Sequence, residues 1–228
     1  MLFSFWKKKK AVCDAPAPPT DLGLPDFKWL LIPLGNPGGE YAATRHNLGR
    51  LMVQRWMDAH CPAPALIQSF NYGAAYSLGS GLGALVPNTY MNHSGRVVAE
   101  ALKIGFPRER MMVVHDDKDL PLGAGRLSFG GGAAGHGGVQ DILNILASTG
   151  GDVARLRLGL APFERPLRDW VLGEWLEDEW GAIEKMDAPF AAVMSMLSNG
   201  IHLADVQGRV NRAAFWAAPT VRQAEPPN

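Results

Sequence analysis

The run WLLIPL, Trp29 to Leu34, is apolar throughout and stops abruptly at Gly35-Asn36-Pro37-Gly38. A run this short, cut off by glycine and proline, predicts a buried strand rather than a helix. The same punctuation recurs at Met111 to Val114, which is followed by His115-Asp116-Asp117. Between these runs the period changes. Residues 44 to about 59 place Leu48, Leu51, Met52 and Trp56 at helical spacing, with Thr44 as N-cap. Residues 94–104, 139–147 and most of 178–217 also predict helices. Short strands are expected within 66–87 and over 126–129. A further strand over 153–160 is expected to be half-exposed, with Arg155 and Arg157 on one face. Strands interleaved with helices predict an α/β fold: a single domain with a mixed β-sheet flanked by helices, spanning about 28–218.

The flanks read differently. Residues 1–27 carry Lys7 to Lys10 and then a proline-rich stretch, APAPPTDLGLPD, without apolar periodicity. They predict a flexible extension whose lysines form a solvated charge run or an accessory RNA contact. Residues 219–228 predict a flexible tail. The chain has 228 residues, 47% of them hydrophobic, enough for one substantial core. Basic and acidic residues balance at 22 each, which argues against a coat for nucleic acid but leaves room for a local basic patch. The two cysteines, Cys13 and Cys61, form no CxxC pair and no disulfide framework. No apolar run approaches the roughly 20 residues of a membrane span. The N-terminus has its apolar residues before its charges, the reverse of a secretory signal. The expectation is a soluble, cytoplasmic protein without membrane contact.

In open α/β sheets ligands bind beyond the carboxyl ends of the strands. If the two apolar strands are neighbours, Asn36 and Asp116 share one rim, and His46 enters the first turn of the returning helix beside them. A helix N-terminus disfavours imidazolium, so His46 is expected to be neutral and able to take a proton near pH 7. Asp116 could hold one ring N–H and turn the other nitrogen to water. That pair, without an adjacent serine or cysteine nucleophile, suggests water activation. The segment GNPGGEY lacks both the Gly-Lys-Ser/Thr ending of a P-loop and dinucleotide-fingerprint spacing. The glycine-rich FGGGAAGHGG, residues 129–138, could cradle a phosphate or be a surface loop. His115, Asp116, Asp117 and Asp119 could form a metal cluster only if side chains on opposite strand faces converged, so no metal or other cofactor is expected. Asn92 stands just before a helix, where it could cap or contact a substrate carbonyl.

Taken in order, GNPGGEYAATRHNLG, NTYMNHSG, VVHDDKDLPLG, GHGG and RLRLG resemble the bacterial-type peptidyl-tRNA hydrolase family over about 29–175. The resemblance implies an α/β fold, metal-free hydrolysis of the ester joining peptide to tRNA, and a monomer acting on the acceptor end and nascent peptide. By position it implies catalytic roles for His46, Asp116 and Asn36. It implies substrate contacts for Tyr41, Tyr90, Asn92 and Gly137, and phosphate contacts for Arg126 and Arg157. Three positions depart from the pattern. Gly137 stands where the loop usually has an asparagine, Ser128 where a second basic residue is common, and Val86 where a lysine usually precedes the proline. If the missing amide matters, an asparagine restored at 137 should lower KM or raise turnover. Two other readings are a weakly active or inactive tRNA-binding protein of the same fold and a metal-dependent phosphoesterase using the HDD segment.

Overall fold

The two apolar runs become neighbouring parallel strands of one sheet. The computed structural model describes residues 26–61, 63–162 and 166–217, so the expected N-terminal extension up to residue 25 and the expected C-terminal tail lie outside the described residues. The strands are β1 (Trp29–Pro33), β2 (Ala65–Phe70), β3 (Gly73–Gly79), β4 (Leu82–Pro87), β5 (Met111–Pro121), β6 (Gly125–Phe129) and β7 (Ala154–Ala161), in the order β2-β3-β4-β1-β5-β7-β6. β1 is parallel to both β4 and β5, and β5 to β7, while β2, β3 and β6 pair antiparallel. The sheet is therefore mixed, as expected. The helices are α1 (Leu48–His60), α2 (Gly95–Lys103), α3 (Gly137–Leu146), α4 (Leu167–Leu172), α5 (Glu177–Lys185), α6 (Asp187–Ser198), α7 (Leu203–Val210) and α8 (Ala213–Trp216). None is long and apolar enough to cross a membrane among the described residues.

Strand alternation builds two cores. Leu31, Met112 and Val114 face α1 and α6, packing with Met52, Phe190 and Val193. Leu30, Ile32 and Val113 face the other way, against Val97 and Val98 of α2 and Val139 and Ile142 of α3. Both faces are covered, so the central strands read as continuous apolar runs rather than alternating ones.

Two strands differ from the sequence expectation. β5 does not stop at Val114 but runs on to Pro121, so His115, Asp116 and Asp117 belong to the strand, buried beside β7. β7 is not half-exposed: it lies between β5 and β6 and is buried along most of its length. Its two arginines hide this from a pattern-based reading. β6 is one edge of the sheet, and that edge is closed at Leu127 by one side chain. Asn211, following α7, accepts from the Leu127 N–H at 2.8 Å and donates to the Leu127 carbonyl at 2.9 Å.

The site is positioned by a close approach. Gly49, in the first turn of α1, has no Cβ, and one placed there would sit 2.2 Å from the Val114 carbonyl oxygen. The helix start can thus rest directly on the β5 backbone, and the residues just before it are delivered to Asp116.

Candidate active site

His46 lies in a short 3-10 turn, Arg45–Asn47, that precedes α1 rather than in the helix itself. Thr44 does not cap; its hydroxyl donates to the Tyr41 carbonyl at 2.8 Å. The turn is held from outside. Arg45, buried, donates to both carboxylate oxygens of Glu179 at 3.1 and 2.5 Å and stacks 3.8 Å over the Trp170 ring. Its backbone N–H donates to the Gly173 carbonyl, and the Trp175 N–H donates to that of Ala43. The segment from Trp170 to Glu179 therefore straps the turn from both sides.

Asp116 is 4% exposed and receives two rings. His46 Nδ1 is 3.0 Å from each of its oxygens, and His136 Nε2 is 3.0 Å from Oδ1. The bonding partners assign the protons. His136 is the N-cap of α3, and its Nδ1 accepts from the Val139 N–H at 3.3 Å. An accepting nitrogen carries no hydrogen, so Nε2–H is the donor to Asp116. His46 likewise donates Nδ1–H to the carboxylate, which leaves the Nε2 lone pair for another partner. Its side chain is 15% exposed, against 8% for His136. His136 is a member of this group that the sequence reading passed over as part of a glycine-rich loop. The signal was present: a lone histidine immediately before a helical period is a candidate cap.

The electrostatics follow from the same contacts. Burial alone would lower the pKa of His46, but the charge and hydrogen bond of Asp116 outweigh it and raise the value above the ordinary 6.5. The expected depression by a helix terminus is overridden because the turn precedes the helix and a carboxylate is in contact. Burial would raise Asp116, yet attraction from His46 and His136 and their two N–H bonds hold it well below the usual carboxylate range. His115 is fully buried behind them, edge-on to His136 at 4.9 Å between ring centroids. Desolvation, with a smaller contribution from His136, pushes it down to about 3, so it is uncharged at neutral pH. Its Nδ1–H donates to the Asp116 carbonyl at 2.7 Å.

Asn36 leaves β1 on the same rim and is buried. Its Oδ1 accepts from the Met91 N–H at 2.7 Å, which assigns Nδ2 as the free end of the amide. The Asn47 side chain, missed from sequence, clamps the Asn36 backbone in both directions, at 2.8 and 3.0 Å. Tyr41 and Tyr90 meet edge-to-face at 6.1 Å, and Tyr90 is 59% exposed. Asn92 is exposed and lies against Gly137: a Cβ on Gly137 would sit 2.0 Å from Asn92 Oδ1. The expected gain from an asparagine at 137 therefore requires the exposed Asn92 side chain to swing aside.

The arginines separate into different roles. Arg126 is exposed and sits directly opposite Arg157 in the β6–β7 pairing. Arg157 Nε donates to Asp117 at 2.5 Å, while Arg126 forms no ion pair among the described residues. Arg155 is buried and donates to the carbonyls of Gly130 and Gly132, so it pins the glycine-rich loop that leads to His136.

Ligand-type atoms of His46, Asp116 and His136 lie within 4.8 Å of one another. Their bonding does not suit an ion. His136 would have to offer an Nε2 lone pair, which moves its proton to the Nδ1 that caps α3.

The site geometry is accompanied by clear relatives. The family model for peptidyl-tRNA hydrolase matches residues 30–216. The chain is 37% identical over 185 residues to a protein named peptidyl-tRNA hydrolase 2 from Corynebacterium glutamicum, covering 78% of this chain and 90% of that one. It is 40% identical over 160 residues to the peptidyl-tRNA hydrolase of Saccharophagus degradans, covering 68% and 81%. Among solved structures, the peptidyl-tRNA hydrolase of Acinetobacter baumannii superposes with a TM-score of 0.69 at 30% identity, covering 80% of this chain and 94% of that one. A mixed sheet that presents a carboxylate-held imidazole to water, and a match spanning nearly all the described residues, converge on one statement: the chain belongs to the peptidyl-tRNA hydrolase family, enzymes that hydrolyse an ester bond.

Proposed function

We propose that the protein cleaves the ester joining a peptide to the 3′ ribose of tRNA, with His46 as general base, Asp116 as its orienting carboxylate and Asn36 as an amide donor. The observation that carries this reading is the His46 ring: Nδ1 is committed to Asp116 and Nε2 is left with its lone pair. Nε2 takes a proton from water as the oxygen attacks the ester carbonyl. Asp116 stabilises the imidazolium that forms. The free Nδ2 of Asn36 is suited to the developing oxyanion. Collapse of the tetrahedral intermediate breaks the bond to the ribose oxygen, which recovers the proton from His46. Tyr41, Tyr90, Asn92 and the small Gly137 would line the acceptor end, and Arg126 and Arg157 would position the stem through phosphates. The protein would work as a monomer in the cytoplasm.

The test is release of peptide from an N-acylated aminoacyl-tRNA, with and without a chelator. Release insensitive to chelator is expected. No release by the intact protein would favour the binding-only reading, and chelator-sensitive release would favour a metal-dependent one.

Two further outcomes arise from the geometry. kcat/KM is expected to rise with pH through a pKa above 6.5, because a raised His46 pKa keeps the ring protonated, and so unable to act as base, to higher pH. Asp116→Asn should move that limb downward, since burial then acts without the opposing charge. A limb unchanged by the substitution would assign it to another group. Gly137→Ala is expected to raise KM by about tenfold, because the new methyl alone displaces Asn92. An unchanged KM would show that the position of Asn92 does not matter to substrate.

A further inference from the structure

Arg50, in the first turn of α1, is a cation with no anion beside it. Its guanidinium donates to the Pro87 carbonyl at 2.5 Å and, through a long contact of 3.5 Å, to the Asn36 carbonyl. Its Nε is buried without a partner. Among the described residues it forms no ion pair. Desolvation lowers it to about 10, so it stays charged at neutral pH.

A cation held this way is not a favourable element of a core. Arg50 is half-buried, and an apolar side chain of similar volume there would shed the cost of its unpartnered Nε. What its contacts do accomplish is local to the rim. Pro87 ends β4 and leads to Tyr90, Met91 and Asn92, while Asn36 lies in the loop that leaves β1. Met91 N–H in turn holds Asn36 Oδ1. Arg50, Asn36 and the exit from β4 therefore form a closed ring of contacts, and Arg50 is its only charged member. The Met91 N–H orients the Asn36 amide so that Nδ2 stays free, and Arg50 braces the backbone on either side of that bond.

We infer that Arg50 is a positioning residue for hydrolysis, acting through Asn36 by tying the Asn36 loop to the exit of β4. The inference rests on the reading of Asn36 as an amide donor. It predicts a separation between stability and activity that a packing role would not produce.

The experiment uses the full chain with peptidyl-tRNA as substrate and four variants: Arg50→Met, Arg50→Lys, Asn36→Ala, and the double variant Arg50→Met with Asn36→Ala. Arg50→Met is expected to keep or raise the melting temperature while kcat falls about tenfold and KM stays within about twofold. Arg50→Lys, which keeps the charge and one of the two carbonyl contacts, should recover part of kcat. The double variant should lose no more than Asn36→Ala alone, because the arginine acts through that amide. An undiminished kcat in Arg50→Met would overturn the inference, and so would losses that multiply in the double variant. If Arg50→Met does not fold, Arg50→Lys combined with Asn36→Ala carries the same comparison. Should Asn36→Ala itself retain full kcat, the amide-donor reading fails, which is a different result from multiplying losses.

Discussion

His46→Ala is expected to lower kcat by about 10³-fold while changing KM little. The general base acts only as charge develops in the transition state. Substrate contacts proposed for Tyr41, Tyr90 and Asn92 lie elsewhere on the rim and would remain. The substitution also removes one of the two N–H donors to a buried carboxylate, which costs about 1–3 kcal/mol of stability. A loss of activity could therefore be confused with a loss of fold. His46→Asn separates them. Its amide N–H can still donate to Asp116, so the melting temperature should approach that of the parent, but it has no basic nitrogen and kcat should stay as low as in the alanine variant. Retention of more than about a tenth of the parent kcat in either variant would remove His46 as the base.

Asp116→Asn is expected to be nearly as damaging, about 10³- to 10⁴-fold in kcat, although it changes a single atom. The reason is the pair of donors that meet there. His136 cannot reverse its ring, because its Nδ1 is committed to the Val139 N–H; it keeps the oxygen of the new amide. The amide nitrogen then takes the place of Oδ2, 3.0 Å from His46 Nδ1, and its N–H favours the tautomer in which Nδ1 accepts. The proton moves to Nε2, the nitrogen that should receive one from water. Steady-state rates on peptidyl-tRNA check the magnitude, and the nitrogen chemical shifts of His46 check the tautomer. An unchanged tautomer with full loss of rate would mean that the carboxylate charge matters and the orientation does not. Stability should respond as well. The pKa of Asp116 is depressed in the folded state, so its contribution is present above the ordinary value of 3.8 and lost as pH falls below it. The asparagine variant should lack that portion of acid unfolding.

Much of this centre was legible in the sequence because its parts sit where chain punctuation is strongest. Asn36 follows a short apolar strand, and Asp116 comes just past another apolar run, Met111 to Val114. The rim was inferred from those two residues and the rule that α/β sheets bind at strand ends. What was not legible depends on contacts between distant segments. His136 looked like one more residue in a glycine-rich loop because its bond to Asp116 spans 20 positions and its cap is a side-chain nitrogen rather than the usual oxygen. Asn47 looked like helix. It became a clamp only once Gly49 let α1 settle on β5. β7 looked half-exposed because Arg155 and Arg157 suggest solvent. One is spent on the carbonyls of Gly130 and Gly132 and the other is paired with Asp117. Polar pattern reports exposure only when polar groups lack internal partners.

The amide of Asn211 against Leu127 bears on how the protein behaves in a crowded solution. A strand at the end of a sheet offers free N–H and C=O groups that another chain can adopt as a template. Here the middle of β6 is already occupied, by a residue that belongs to the end of α7 and not to the sheet. Protection of the edge thus depends on the helix staying wound. Local unravelling around Val210 would withdraw the amide and turn β6 into a starting point for strand addition, so the solubility of the whole fold is coupled to the fraying of one short C-terminal helix.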